Sequence, residues 1–396
     1  MSKVRSALVI GGGIAGPVTA AALVKAGIDA VVHEAYPAES NGIGGTLALA
    51  PNGMAALDVV GAGDAVRSLA LPVRRTAMSI GGGPLRTMPA LPDVEPLQLV
   101  DRGGLHRALR DRALAAGVEF EHGKRLVDVD EDPDGVTARF ADGSTARADV
   151  LIGADGVRST VRTLIDPDAP GPAYTGMLGF EGRADIPIDA EPGTMVFAFG
   201  KRAYYLYWTL PGGAVGWGAN LPSREYLTLN EARKSPAGKW LRTLRETYAD
   251  DDPGGALAAG TGADTLQVVG ALHIMPPVPR WHRGRMVLVG DAVHAPSNST
   301  GQGASLAAES AIELARCLRD LPGPAPAFAA YERLRRSRVE RIAARGARIN
   351  TAKTPGPVAR KAMSVLMPIM FRATNVEKSM GREQRHVIDW DAPVPA

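Results

Sequence analysis

The amino-acid sequence predicts an α/β protein: a parallel sheet with an attached β-meander, a second mixed β-sheet, and C-terminal helices. Three observations predict it. The first 34 residues carry one β-α-β pattern around a glycine cluster. Turn dipeptides punctuate short strands between Val118 and Val150. Ten of the twenty aromatic side chains fall between residues 171 and 226, about a seventh of the chain.

Val4 to Ile10 is a short apolar run suited to a strand buried on both faces. The helix after the glycines ends near Gly27, a residue type that closes helices readily. Pro17 is tolerated in its first turn, where the missing N–H has no partner. Ile28 to Glu34 reads as the second strand. A further helix spans about Leu105 to Ala116, with Leu105 and Leu109 on one face and Gly117 closing it. Asp134-Gly135 and Asp142-Gly143 are hairpin-turn signals, so Val118 to Val150 reads as an antiparallel meander. Val150 to Gly153 and Met286 to Val289 are two more buried strands. Between them, the aromatic segment reads as a separate sheet and as one wall of a pocket. An alanine-rich helix follows from about Gly303 to Leu318. The seven arginines between Arg333 and Arg348 read as a solvated helix face.

Composition excludes several classes. A chain of 396 residues, 45% hydrophobic and 22% charged, can bury a sizeable core and is not intrinsically disordered. The single cysteine, Cys317, supports neither a disulfide scaffold nor a multi-cysteine metal site. A net charge of +3, with no basic patch interleaved with aromatics, argues against nucleic acid despite a pI near 9.0. The longest largely apolar run, Met363 to Phe371, is nine residues, contains Pro368 and is too short to span a bilayer. The apolar stretch near the N-terminus is cut by Gly11, Gly12 and Gly13, too early for a signal sequence. The expectation is a cytoplasmic monomer or homodimer without membrane insertion.

Gly11-x-Gly13-x-x-Gly16 sits between a strand and a helix. Gly11 permits the tight turn, Gly13 lets backbone approach a pyrophosphate, and Gly16 lets helix and strand pack closely. The free N–H groups of this helix end, at Ile14 and Ala15, favour an anion. Glu34 stands at the end of the second strand, where a carboxylate accepts both hydroxyls of an adenosine ribose. This is a Rossmann-like dinucleotide site. The glycines alone do not separate NAD from FAD.

Two further segments do. Asp149 to Arg162 reads Asp-Val-Leu-Ile-Gly-Ala-Asp-Gly-Val-Arg-Ser-Thr-Val-Arg, and Met286 to Gly303 reads Met-Val-Leu-Val-Gly-Asp-Ala-Val-His-Ala-Pro-Ser-Asn-Ser-Thr-Gly-Gln-Gly. With Asp101-Arg102-x-x-Leu105 between the first two fingerprints, the chain resembles the class A FAD-dependent monooxygenases. These are the aromatic hydroxylases related to para-hydroxybenzoate hydroxylase, here of the short single-component type. The resemblance covers about residues 1 to 345. It implies a glutathione-reductase-type FAD-binding domain from residues 1–70, 100–170 and 271–330, a substrate domain from 71–99 and 171–270, and a C-terminal helical segment at 331–396.

The resemblance also implies roles. Asp291 would hold ribityl hydroxyls. Gly301, Gly303 and Ala304 would present a helix N-terminus to the flavin, stabilising its reduced, anionic form. Arg102 would reach the phosphate or ribityl region, while Asp155 and Arg158 would serve FAD and the nicotinamide donor, NADH or NADPH. On the residues alone, Asp155 and Asp291 also read as turn or helix caps, and Arg102 as a surface ion pair. Asn298, Pro296 and His294 are the candidates for lining the flavin edge, although a lone histidine after Gly-Asp reads first as structural. Phe197, Tyr205, Tyr207 and Trp217 are the candidate contacts to a small aromatic or other electron-rich substrate. The implied reaction is hydroxylation with NAD(P)H and O₂ through a C4a-hydroperoxyflavin. Epoxidation, Baeyer–Villiger insertion, a reductase or halogenase, and a non-catalytic flavin-binding regulator are alternatives on the same scaffold. Two positions depart from the family pattern: Asn298 replaces a proline, and Ser310 replaces an acidic residue after Glu309.

Overall fold

The N-terminal apolar run forms β1 (Ser6–Ile10), which lies between β2 (Asp29–Glu34) and β12 (Val150–Gly153), all parallel. The structure, a computed structural model, describes residues 3–37, 45–188, 190–351, 353 and 380–395. β8 (Glu119–His122) and β19 (Met286–Leu288) extend this sheet in parallel, and β18 (His282–Arg283) closes it antiparallel, giving six strands. The meander is narrower than expected. Only β9 (Leu126–Asp132), β10 (Gly135–Phe140) and β11 (Thr145–Ala148) belong to it, turning at the two Asp-Gly pairs. β8 pairs with β2 instead, because the preceding helix returns it beside the parallel strands. Val136, Ala138 and Phe140 of β10 join the same core as β1 and β12.

The aromatic segment supplies β13 (Ala173–Ala184), β14 (Thr194–Phe199), β15 (Tyr204–Thr209) and β16 (Val215–Pro222). With β5 (Arg75–Ile80), β6 (Arg86–Thr87) and β17 (Gln267–Ile274) they form a seven-stranded mixed sheet. Successive side chains along a strand point to opposite faces, and the register assigns the aromatics accordingly. Val196 pairs with Tyr207, and Tyr207 with Trp217, whereas Phe197 pairs with Leu206. The first set faces α7 (Ala237–Tyr248) and α8 (Gly254–Gly260), next to α6 (Leu229–Lys234). The second set, with Met195 and Trp208, faces a three-stranded sheet of β3 (Thr46–Leu49), β7 (Leu97–Asp101) and β4 (Leu71–Val73).

The remaining helices cover the parallel sheet: α1 (Ala15–Lys25), α2 (Pro51–Val59), α3 (Gly63–Leu69), α4 (Arg102–Ala115), α5 (Thr160–Ile165), α9 (Gly303–Asp320) and α10 (Pro324–Thr351). α10 starts earlier than the expected boundary at residue 331. No described helix is long and apolar enough to cross a membrane. Met363 to Phe371 lies outside the described residues. Cys317 is buried, and burial pushes its thiol up to about 12, which suits a packing role.

α9 is buried from Ser305 to Leu318 and packs against α1, α2 and α10. Its most deeply buried carboxylate, Glu309, is 1% exposed and lies 2.6 Å from Arg335 and 2.8 Å from Arg338. Two of the seven arginines expected on a solvated face are therefore buried counter-ions. The tertiary position of Glu309 turns them inward. Burial alone would raise the Glu309 carboxyl, but the Arg335 charge and the Arg338 hydrogen bonds outweigh it and bring it down to about 2. Asn52 of α2 adds a hydrogen bond to Glu309 Oε1 at 2.6 Å and another to Gln302 at 2.9 Å.

Removing one member of a buried charge cluster strands the others, at about 3–5 kcal/mol. Glu309→Gln is expected to destabilise the protein by about that amount in chemical denaturation. A carboxyl held below its unfolded value contributes stability above that value and loses it as pH falls. The gap between wild type and variant should therefore narrow as the pH is lowered from 4.5 toward about 2.

Candidate functional site

β1 ends in a turn that only glycine can make. Gly11 has φ +105°, and a Cβ there would sit 2.5 Å from Ala154 O. A Cβ on Gly16 would lie 1.9 Å from Gly11 O, so the first turn of α1 packs directly on the loop. At Gly13 a Cβ would meet nothing, leaving open space before the helix. No side chain caps α1 at Ile14, and its first turn holds no acidic residue, so the N–H groups at Ile14 and Ala15 stay free for an anion. Glu34 is pinned beside them: its Oε2 accepts from Gly12 N at 2.7 Å and its Oε1 from Tyr36 N at 2.9 Å. His106 of α4 approaches the same loop, with Nε2 2.6 Å from Gly12 O.

The turn after β19 abuts this loop. Gly290 has φ +60°, and a Cβ there would be 2.8 Å from the Ala15 methyl. The next residue, Asp291, receives no hydrogen bond from any other described residue. Burial raises its carboxyl against the pull of the Arg102 charge. Arg102 is exposed at the start of α4, which Asp101 caps through Gly104 N at 2.7 Å. Arg162 of α5 secures the Asp291 turn by donating to Ala292 O at 2.9 Å. Farther along, Gly301 adopts a left-handed conformation (φ +61°), and α9 begins at Gly303 and Ala304 with no side-chain cap. A Cβ on Gly303 would meet nothing, so this helix end also opens onto free space.

The Asp155 backbone abuts the glycine loop, its Cα 2.8 Å from where a Cβ on Gly11 would stand. Asp155 caps α5: its Oδ2 accepts from Thr160 N at 2.7 Å and Val161 N at 3.1 Å, while its buried Oδ1 has no hydrogen-bond partner. Arg158 is exposed and donates to the Tyr226 hydroxyl at 2.5 Å. His294 does not reach the surface. It is buried, 2.9 Å from the Ser310 hydroxyl, and burial, then the Arg335 charge, hold its imidazole down at about 3. It is neutral and part of the core, joined to the residue that replaces the family's acid. Pro296 is buried as well, whereas Asn298 is exposed at the head of the turn.

The candidate substrate wall needs correction. Tyr205, Tyr207 and Trp217 lie on the outer face of the seven-stranded sheet, against Tyr248 of α7. The Tyr205–Tyr248 and Trp217–Tyr248 ring centroids are 5.2 and 5.8 Å apart, and Trp217 Nε1 donates to Thr261 at 2.9 Å. Phe197 is on the inner face with Leu206, packed toward Ala48 and Leu97. Those two residues are also the neighbours a Cβ on Gly301 would meet. The inner face and the Asn298–Gly303 turn therefore meet across Ala48 and Leu97. The inner-face row continues through Gly218 to Glu181, whose carboxylate accepts from Thr46 N at 2.6 Å.

Sequence reading missed four contributors. Asn52 and Gln302 hold the start of α9, and His106 and Arg162 brace the two turns. Pro51-Asn52-Gly53 marks a helix start, but nothing local shows that Asn52 reaches Glu309, 257 positions away.

Residues 5–345 match the family model described as an FAD binding domain. The chain belongs to this FAD-binding family. A 3-amino-4-hydroxybenzoate 2-monooxygenase of Streptomyces platensis is 33% identical over 354 residues, covering 84% of this chain and 85% of that one. An FAD-dependent urate hydroxylase of Klebsiella pneumoniae is 31% identical over 351 residues, covering 84% and 86%. The crystal structure of Klebsiella pneumoniae HpxO complexed with FAD and uric acid superposes with a TM-score of 0.82, at 26% identity and 96% coverage of both chains. The protein is a flavoprotein monooxygenase, and FAD is its cofactor.

The residues present fit that group. Two uncapped helix ends, two glycines backed by open space and a carboxylate without donors are the features a diphosphate, a flavin edge and a ribityl chain would complete. Gly16→Ala overpacks backbone on backbone, typically costing about 1–3 kcal/mol, or roughly ten- to a hundredfold in affinity. It is expected to be purified with little FAD. Asp291→Asn should weaken FAD roughly tenfold or more, in line with loss of a charged hydrogen-bond acceptor, while leaving the circular dichroism spectrum unchanged. Flavin fluorescence titration measures both.

Proposed function

We propose that this enzyme hydroxylates a small, electron-rich aromatic or heteroaromatic compound at the expense of NADH or NADPH and dioxygen. The substrate would lie in the cleft between the Asn298–Gly303 turn and the inner sheet face. The observation that carries this reading is the opposition of the FAD-fitting turns to an inner wall of Phe197 and Leu206. That wall offers shape and dryness rather than an acid–base pair. The relatives named for 3-amino-4-hydroxybenzoate and urate support the substrate class.

The division of labour follows. Bound FAD supplies hydride acceptance and oxygen activation. The backbone from Gly11 to Gly16, with Gly13, Ile14 and Ala15, would bind the diphosphate at the α1 N-terminus. Glu34 would take the adenosine ribose, and Asp291, with Arg102 beside it, the ribityl hydroxyls. Gly301, Gly303 and Ala304 direct the positive end of α9 at the place where negative charge develops on reduction. Phe197 and Leu206 exclude water from the substrate face, which limits wasteful loss of reducing equivalents. The buried, neutral His294 transfers no proton and keeps the turn in place through Ser310. Arg158, exposed beside Tyr226, is available to the nicotinamide cofactor from outside the cleft.

The test is NAD(P)H oxidation with oxygen uptake by the FAD-loaded protein across hydroxybenzoates, aminohydroxybenzoates and purines. Stimulation of both rates by one aromatic compound, with an oxygenated product, is the expected result. Flavin that neither NADH nor NADPH reduces in the presence of any of them would refute the reading.

A further inference from the structure

Beyond the end of α10, Lys353 sends its side chain back into the protein. The residue is 3% exposed. Its Nζ lies 4.3 Å from the centroid of the Tyr204 ring and 3.4 Å from Asn298 Oδ1. With the Asn220 amide turned so that both its atoms are satisfied, the Asn220 oxygen also accepts from Nζ. Tyr204 and Asn220 are cross-strand neighbours on β15 and β16. They lie on the inner face, one position along from Leu206 and Gly218. Lys353 thus joins the substrate face of the sheet to the turn expected at the flavin edge.

All three partners are neutral. Among the other deeply buried cations, Arg335 and Arg338 share Glu309 and Arg316 pairs with Glu313 at 2.7 Å, while Arg162 donates to two backbone carbonyls with the Asp155 charge nearby. No described carboxylate forms an ion pair with Lys353. An ammonium taken out of water without a counter-charge carries a large desolvation penalty, which amide oxygens and one aromatic ring offset only in part. Of its partners, Asn298 is exposed at the cleft, so a ligand lying beside Asn298 would be close to Nζ.

We propose that Lys353 is the substrate-anchoring residue of this enzyme. It takes an ionised oxygen of the substrate, a carboxylate or an acidic phenolate or enolate, and so selects acidic aromatic compounds. This rests on the hydroxylase reading above and narrows its substrate class. The bound anion supplies the missing counter-charge, and Asn298 and Asn220 fix the direction of approach.

The charge state gives the proposal a signature. Burial pulls the Lys353 ammonium down to about 7, so without a ligand it loses its proton near neutrality. The groups facing it are Tyr204 from β15, Asn220 from β16 and Asn298 from the turn. Among these only Tyr204 titrates, and burial holds its phenol far above neutral pH. The inner-face carboxylate, Glu181, is engaged by Thr46. Anion affinity should therefore be highest on the acid side and fall as pH rises through about 7.

The experiment uses the FAD-loaded protein with benzoate and its neutral counterpart benzamide, measured by calorimetry and equilibrium dialysis. At about pH 6, where the ammonium is charged, wild type should prefer benzoate by roughly tenfold or more. Lys353→Met should lose that preference while retaining FAD. Lys353→Arg should keep it at about pH 8, where wild type has lost it, because a guanidinium stays charged. The proposal is overturned if wild-type holoenzyme does not bind benzoate, if its affinity is independent of pH, or if Lys353→Met binds benzoate as wild type does. An unchanged benzoate preference with a shifted flavin potential in Lys353→Met would assign the charge to the cofactor and also overturn it. Oxygen uptake on the same samples separates this outcome from failure of the hydroxylase reading, which would show as flavin that no nicotinamide cofactor reduces.

Discussion

The Glu309 carboxylate, held between Arg335 and Arg338 in the interior, is the interaction on which the site geometry depends. α9 runs through the core, packs against the Gly290-Asp291 turn and follows directly on the Asn298 turn. Apolar packing alone would allow such a helix to slide or rotate at little energetic penalty. A buried charge with directional partners does not, because any displacement leaves it unpaired in a low-dielectric medium. Asn52 extends the constraint to α2 and Gln302. The α9 N-terminus, the Asn298 turn and the strand leading to Asn52 are thereby held in one arrangement.

Around that anchor the cleft is shaped by absence of side chains on one side and by bulk on the other. Gly11, Gly16 and Gly290 bring three backbone segments closer than any Cβ would permit. On the facing wall, Phe197 and Leu206 stand above a row that ends in Gly218 and Glu181. The result is a cradle rich in free N–H groups opposite an apolar surface. A flavin needs such asymmetry: donors where charge develops, and dryness where the reacting carbon and oxygen meet.

Much of this was legible from residues alone where a short stretch suffices to impose the geometry. The β-α-β unit, the two Asp-Gly hairpins and the α9 helix stand close to where the pattern puts them. The misreadings share a cause. β8 has a strand composition that suits either a meander or a parallel sheet, and only its neighbours decide. Arg335 and Arg338 look like surface charges until Glu309 is found beneath them. Tyr205, Tyr207 and Trp217 belong to an aromatic-rich sheet, as expected. A one-residue alternation sends them to the helix-covered face and Phe197 to the cleft.

The sequence by itself determined the local devices: glycines where backbones must touch, a carboxylate at the end of β2, a Gly-Asp turn after β19, and the fingerprints that name FAD. Each depends on sterics within a few residues, which composition and spacing encode directly. Tertiary structure decided what those devices face. It turned His294 into the core and brought Lys353 between Asn298 and Tyr204 from the far end of a helix. Burial and counter-charge come from residues distant in the chain, and no local pattern carries them.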